Sequence, residues 1–350
     1  MRPIRVLVVE DSLTVRKRLV EVLTADPDLH VVGEAGDGKS AIELCQQLRP
    51  DVITLDMMLP VMTGLAATEF IMAYCPTPIV IVSASTNRGE LFRTYDALAA
   101  GAVEVVEKPS GAEADDAWAR RLLSTVKLVS RIKVITHPRA RLNDLRRTPV
   151  GRRGPRACRA VAIGASTGGP GAVVEILRGL PPDFSLPILL VVHIAPSFAA
   201  GFVEWLDRQS ALSVRCARDG EPLPARGVSG AIMAIPDRHL VMANGALRLT
   251  NDPERHSCRP SVDVLFESVA RELGPRVAGC LLTGMGKDGA EGLVAIRRAG
   301  GRTFAQDEET SVVFGMPGEA VRRGAAERVL PLPHIAPALT ALAAGADEGR

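Results

Sequence analysis

Apolar residues in the first third of the chain come in short unbroken runs, and mixed segments of helical period separate them. The runs are "IRVLVV" (4–9), "HVVGEA" (30–35), "DVITLD" (51–56), "PIVIVS" (78–83) and "AVEVVEK" (102–108). Unbroken apolarity over so few residues marks strands covered on both faces. The intervening segments, 13–25, 38–48, 64–74, 87–100 and about 113–134, carry the helical period. Strands alternating with helices predict an α/β domain on a parallel sheet.

Residues 136–156 break this pattern with seven arginines, three prolines and one acid, and no apolar periodicity. That composition suits a linker. A nucleic-acid arm is the sharper reading, but no helical basic face accompanies it. A second α/β unit begins near 157, with strand-like runs at 159–165, 187–194, 230–235, 240–250, 277–284 and 301–307. Helical segments fall at 170–179, 198–209, 261–273 and 288–299, and the alanine-rich tail from 334 reads as a closing helix. The expected organisation is a domain at 1–130, a linker at 131–156 and a domain at 157–345.

Composition narrows the function classes. A length of 350 residues suits two domains. Aromatic residues make up 3%, too few for a base-stacking surface. The net charge of +2 gives no reason to expect a polyanionic partner. The six cysteines form no C-x-x-C pair, so neither a zinc motif nor a disulfide framework is expected. Free thiols suit a reducing cytosol. The N-terminus turns polar after one strand-length run, unlike a signal peptide. The longest apolar stretch, "LPILLVVHIAP", is too short to span a bilayer. A soluble cytoplasmic protein without membrane insertion is expected.

In an open parallel sheet, ligands bind beyond the carboxyl ends of the strands. In the first domain those ends carry Glu10 and Asp11, Asp56, Ser83, and Lys108 followed by Pro109. Each taken singly is an ordinary solvated strand end. Together, three carboxylates call for a cation, and Mg²⁺ takes carboxylates while keeping water and a phosphate oxygen. One carboxylate can then attack phosphorus, with a lysine and a hydroxyl against the phosphoryl oxygens.

The second domain poses a question at "VAIGASTGGPG" (161–171), where a strand ends in Ser166 and glycines follow. Ser166 could be a nucleophile, a phosphate ligand or a turn residue. A nucleophilic serine needs a base, and the base needs a third group to hold it. Of the six histidines, His193 alone closes an apolar run, "PILLVVHIAP", whereas His239 and His256 lie in polar stretches. A packed core histidine is the bland reading of His193. For the acid, Asp288 in "CLLTGMGKDGAEG" follows another strand, and Asp307 in "AQDEET" is its rival. Asp288 could equally be a helix N-cap. The segment 164–168 satisfies G-x-S-x-G, the mark of a strand-to-helix elbow, although the order Ser, His, Asp is not that of α/β-hydrolases. A phosphate cradle fits poorly, since Pro170 removes an N–H and the glycine spacing is wrong.

"VVEDS", "DVITLDMMLPVMTGL", "VSAS" and "EKP" resemble the receiver domain of two-component response regulators over about 125 residues. The resemblance implies a flavodoxin-like sheet of order 2-1-3-4-5. It makes Asp56 the phosphorylated residue, Glu10, Asp11 and Asp56 the Mg²⁺ ligands, and Ser83 and Lys108 the phosphoryl contacts. A histidine kinase would be the donor. Val105 departs from the usual switch aromatic, and Leu59 from the methionine common before the proline.

"IGASTGGPGA", "HIAP", "RPSVDVLFESVA", "LLTGMGKDGAEGL" and "GGRTFAQDEETSVVFGMPGEA" resemble the catalytic domain of chemotaxis-type protein-glutamate methylesterases. "HIAPSFAAGF" departs from the family's commoner "HMPPGFT" type. The resemblance implies a doubly wound α/β domain that hydrolyses glutamyl γ-methyl esters on chemoreceptor helices and deamidates certain glutamines. It makes Ser166, His193 and Asp288 the triad, with Thr167 beside the nucleophile and the Met285 N–H as an oxyanion donor. No cofactor for the esterase, no nucleic-acid partner and a monomer are expected. Joining the domains suggests that the unphosphorylated receiver blocks the esterase. The contrasting expectation is a phosphorylation-controlled binding regulator with an inactive second domain and DNA contacts from the arginine-rich segment.

Overall fold

The computed structural model describes residues 2–84, 88–108, 115–132 and 158–345. Contacts along the chain separate two units, 1–138 and 139–350. Of the expected linker only Arg131 and Ile132 are described; the rest of it, with Pro109 after Lys108, lies outside the described residues.

The first unit runs β1 (Ile4–Val9), α1 (Leu13–Thr24), β2 (Leu29–Ala35), α2 (Gly38–Leu48), β3 (Val52–Leu55), α3 (Gly64–Tyr74), β4 (Ile79–Ser83), α4 (Arg88–Ala99), β5 (Glu104–Glu107) and α5 (Asp115–Val129). Its five strands are parallel in the order β2-β1-β3-β4-β5, the expected flavodoxin-like sheet. Val6 to Val9, Val52 to Leu55 and Ile79 to Val82 are buried, which is why these segments read as unbroken apolar runs. Side chains start two of the helices: Asp37 accepts from the Ser40 N–H at 2.9 Å, and Thr63 from the Ala66 N–H at 3.3 Å. A β-carbon at Gly64 would collide with the Asp56 carbonyl oxygen, so glycine lets α3 begin tight against the end of β3.

The second unit runs β6 (Ala160–Ala165), α6 (Gly169–Gly179), β7 (Ile188–Val192), α7 (Pro196–Gln209), β8 (Val214–Cys216), β9 (Ala231–Met233), β10 (His239–Ala243), β11 (Ala246–Thr250), α8 (Val262–Leu273), β12 (Val277–Leu281), α9 (Ala290–Arg298), β13 (Arg302–Gln306), α10 (Met316–Arg322), β14 (Arg328–Leu330) and α11 (Leu332–Ala343). Seven strands form one sheet, β14-β13-β12-β6-β7-β9-β8, and every pairing is parallel. α6 packs on α7 and α11, whereas α8 packs on α9 and α9 on α10. Such helix sets are those of a doubly wound sheet, as expected. One core joins Ala162, Leu189 and Ile232 of the sheet to Phe266, Leu293 and Ile296 of the helices.

Strand order reverses at β6. From it the chain adds β7, then β8 at the edge and β9 between those two, and returns to lay β12 on the other side. The carboxyl ends of β6 and β12 therefore flank a topological switch point, where such sheets bind ligands.

Two readings of the sequence need correction. The run 240–250 is not one strand. It breaks at Asn244 and Gly245, whose φ angles of 53° and 74° make a two-residue hairpin between β10 and β11. β8, β14 and α10, at three, three and seven residues, are too short to show a period and were not expected.

Candidate active site and phosphoryl-acceptor cluster

In the first unit, the Asp56 N–H donates to Val9 O at 3.0 Å and the Lys108 N–H to Ser83 O at 2.9 Å, aligning the ends of β1, β3, β4 and β5. Lys108 Nζ lies 3.0 Å from Glu10 Oε2 and 2.8 Å from Asp56 Oδ2. Glu10, Asp11 and Asp56 each bring an oxygen within 4.8 Å of the others. Asp56 Oδ1 is buried and has no hydrogen-bond partner among the described residues. Burial, then the Asp56 charge, push Glu10 up to about 7 against the pull of Lys108. Burial likewise raises Asp56 against Lys108. One lysine does not balance this cluster, and its hard oxygens suit a hard divalent cation. Ser83 is buried, with Oγ donating to Glu90 Oε1 at 2.7 Å and accepting from Thr94 Oγ1 at 3.1 Å. The sequence reading missed Glu90. Leu59 is buried, and Val105 stands half-buried beside Ile81.

In the second unit, Ala165 of β6 and Val192 of β7 are register partners, and the His193 N–H donates to Ala165 O at 3.0 Å. Ser166 and His193 are thus the first residues beyond neighbouring strands, which lie about 4.8 Å apart. Across β6, the Ser166 N–H donates to Thr283 O at 3.0 Å. Thr283 Oγ1 donates to Thr167 O at 3.0 Å and accepts from the Val313 N–H at 2.9 Å, clasping the serine loop. A β-carbon at Gly284 would sit 2.8 Å from Ser166 Cβ, so glycine permits this approach. Gly168, with φ of 75°, turns the chain from the serine into α6.

Asp288 is buried, with Oδ2 at 3.0 Å from His193 Nε2. Its carboxylate also accepts from Ser261 Oγ at 2.7 Å, the Val262 N–H at 2.7 Å and the Asp263 N–H at 3.0 Å. These donors open α8, so an anion is held at a helix N-terminus. Asp288 does not cap its own helix α9, whose N-cap is Gly289. Burial pushes the Asp288 carboxyl up, but the bonds from His193, Ser261 and Asp263 outweigh it and leave the group below its ordinary value. Asp307 sits instead in a turn, where its Oδ1 accepts from the Thr310 N–H and Oγ1 at 3.0 and 2.6 Å.

The supporting groups escaped the sequence reading. His239 is not in a polar setting but fully buried in β10; its Nδ1 accepts from the Ser261 N–H at 3.1 Å. His256 Nε2 lies 3.1 Å from Asp263 Oδ2. Cys258 Sγ lies 3.8 Å from His193 Nδ1. The one available signal was "RPSVD", which comes directly after Cys258 and holds Ser261 and Asp263.

The Ser166 hydroxyl is half-buried and makes no hydrogen bond among the described residues, so the structure joins His193 to Asp288 but not Ser166 to His193. With Nε2 on Asp288, Nδ1 is the ring nitrogen left to serve a serine. The N–H groups of Thr167 and Met285 donate to no acceptor among the described residues. Met285 is 56% exposed and borders a cleft of about 560 Å³ lined also by His256, Cys258, Asp288, Glu319 and Arg322.

Burial would lower the basicity of His193, but the bond to Asp288, then the Cys258 contact, lift its pKa to about 9. A protonated ring accepts no proton from serine. If His193 is the base, kcat/KM for ester hydrolysis rises about tenfold per pH unit through neutrality and levels near pH 9. A pH–rate profile checks this; a plateau reached near 6.5, the unperturbed value, would contradict it.

Family models match both units. The CheB methylesterase model covers residues 161–339 and the response regulator receiver domain model residues 6–115. The protein-glutamate methylesterase/protein-glutamine glutaminase of Nitrosospira multiformis is 46% identical, over 97% of each chain. One of that name from Anaeromyxobacter dehalogenans is also 46% identical over 97% of each. The crystal structure of the Thermotoga maritima CheB methylesterase catalytic domain, 36% identical, aligns over 53% of this chain and all of that one with a TM-score of 0.50. A switch point carrying Ser166, His193 and Asp288 in the second unit, and a receiver-type acidic cluster in the first, thus coincide with full-length likeness: this chain belongs to the CheB methylesterase family, with a response regulator receiver domain preceding the methylesterase domain in sequence.

Proposed function

We propose that this chain is a phosphorylation-activated hydrolase that removes methyl groups from glutamyl γ-methyl esters of chemoreceptor cytoplasmic helices and deamidates specific glutamines there. The observation that carries this reading is the His193–Asp288 pair at 3.0 Å, one strand from Ser166 at the switch point. His193 Nδ1 takes the Ser166 proton as Oγ attacks the γ-carbonyl carbon. Asp288 holds the ring and stabilises its charged form. The N–H groups of Met285 and Thr167 offer donors to the oxyanion. The protonated His193 returns its proton to the leaving methoxide, or to the leaving amine of a glutamine, releasing methanol or ammonia. Water, deprotonated by His193, then frees the glutamate from Ser166. Methanol release from methylated receptor membranes, and ammonia release from membranes carrying the glutamines, test this directly; neither product from the wild-type chain would overturn it.

We assign Asp56 as the phosphoryl acceptor, with a histidine kinase as donor. Glu10, Asp11 and Asp56 would hold Mg²⁺, which neutralises charge on the incoming phosphoryl group. Lys108 neutralises the remainder, and Ser83 must turn from Glu90 to reach the phosphoryl oxygens. Asp56→Asn is expected to abolish labelling by a phosphodonor and hold hydrolysis at the unphosphorylated rate. Chelation of Mg²⁺ should block labelling equally. Phosphorylation retained in the variant would place the acceptor elsewhere.

Among the described residues no helix is long and apolar enough to cross a membrane. A substrate on cytoplasmic helices places the protein in the cytoplasm. The intact His193–Asp288 pair favours an enzyme over a binding regulator with an inactive second domain. The arginine-rich segment 136–156 lies outside the described residues.

A further inference from the structure

His193 Nδ1 and Cys258 Sγ face each other at 3.8 Å. Zinc binds imidazole nitrogen at about 2.0–2.1 Å and thiolate at about 2.3 Å in tetrahedral sites. Those lengths and that angle put the two donor atoms about 3.5–3.6 Å apart, a few tenths of an ångström from what is found. Asp288 Oδ2 meets the other ring nitrogen, Nε2. A carboxylate behind the imidazole is the usual support of a metal-binding histidine. One donor atom from each of His193, Cys258 and Asp288 lies within 4.8 Å of the other two. Cys258 borders the cleft and the His193 side chain is 17% exposed, so an ion can enter.

Among the described residues, neither other donor cluster offers this chemistry. His256, Asp263 and Glu291 already face the Arg255 guanidinium, which contacts both carboxylates. Glu10, Asp11 and Asp56 are hard oxygens only.

We propose that Cys258 and His193 form an inhibitory site for a thiophilic divalent cation, with Zn²⁺ as the probe. The proposal rests on His193 acting as the base through Nδ1. Binding breaks the Cys258 S–H bond and, below about pH 9, the His193 Nδ1–H bond, releases those protons to solvent, and forms metal–sulfur and metal–nitrogen bonds without redox change. The Nδ1 lone pair is then engaged, and the Ser166 proton has no acceptor. The sequence lacks a zinc motif because this pair comes from a strand end and a distant loop.

The test uses the full metal-free chain. Zn²⁺ should lower methanol release at least tenfold at saturation, and a chelator should restore it. Cys258→Ala, compared with its own zinc-free rate, should need at least tenfold more Zn²⁺. Binding is read separately with Co²⁺, whose thiolate charge-transfer absorption should appear in the wild type and in Ser166→Ala, and be lost in Cys258→Ala. Zinc sensitivity unchanged in Cys258→Ala, or no thiolate band in the wild type, would overturn the site. A wild type that shows the Co²⁺ band yet releases no methanol would retain the metal site and defeat the functional reading instead.

Discussion

Ser166→Ala is expected to lower kcat for glutamyl methyl ester hydrolysis by about a million-fold, the loss found when a relay of this kind is stripped of its nucleophile. That factor corresponds to roughly 8 kcal/mol of barrier. Alanine removes the attacking oxygen and leaves the loop intact, because the backbone bonds of residue 166 to Thr283 and Gly169 do not involve the hydroxyl. Folding should be unaffected, and unfolding monitored alongside activity distinguishes chemistry from collapse. Thr167→Ala keeps the backbone N–H and should lose far less. A Ser166→Ala variant within tenfold of wild type would remove the nucleophile assignment.

Asp288→Asn should cost about 10⁴ in kcat, because the amide stabilises the wrong tautomer of His193 and no longer compensates its positive charge. It carries a second penalty that Ser166→Ala lacks. The carboxylate accepts from Ser261, Val262 and Asp263 as well as His193. An amide nitrogen placed among those donors leaves at least one unsatisfied, at about 1–3 kcal/mol. A unit of this size loses about 2–4 °C in Tm per kcal/mol. The raised His193 pKa sets the sign with pH. The stabilisation that the pair contributes is complete below the unfolded histidine value and disappears as pH rises through about 9. Asp307→Asn, altering only a turn, should leave the rate within about twofold. Equal losses from both substitutions would show that the acid is misassigned.

Much of the fold and site was legible in the chain because parallel strands declare themselves as apolar runs, and parallel sheets put their chemistry at the ends of those runs. Asp56, Lys108, Ser166, His193 and Asp288 all stand at or just past the end of such a run, and that position is what singles them out. The hairpin of β10 and β11 was hidden because Asn244-Gly245 interrupts a stretch whose residues are apolar on either side. His239 looked polar because Asp237 and Arg238 precede it, yet strand pairing carries it inside. Cys258 could not be tied to His193 by spacing, since 65 residues separate them and only the fold brings them to 3.8 Å. Nor did the sequence reveal which ring nitrogen faces the acid; the imidazole direction is set by where α8 presents its N-terminus.

The most direct test of the relay is the hydrolysis rate of the double variant Ser166→Ala/His193→Gln beside each single variant. If hydroxyl and imidazole work as one unit, removing the second after the first costs nothing further, and the double variant matches Ser166→Ala. If the two losses multiply instead, the residues act independently and no proton passes between them.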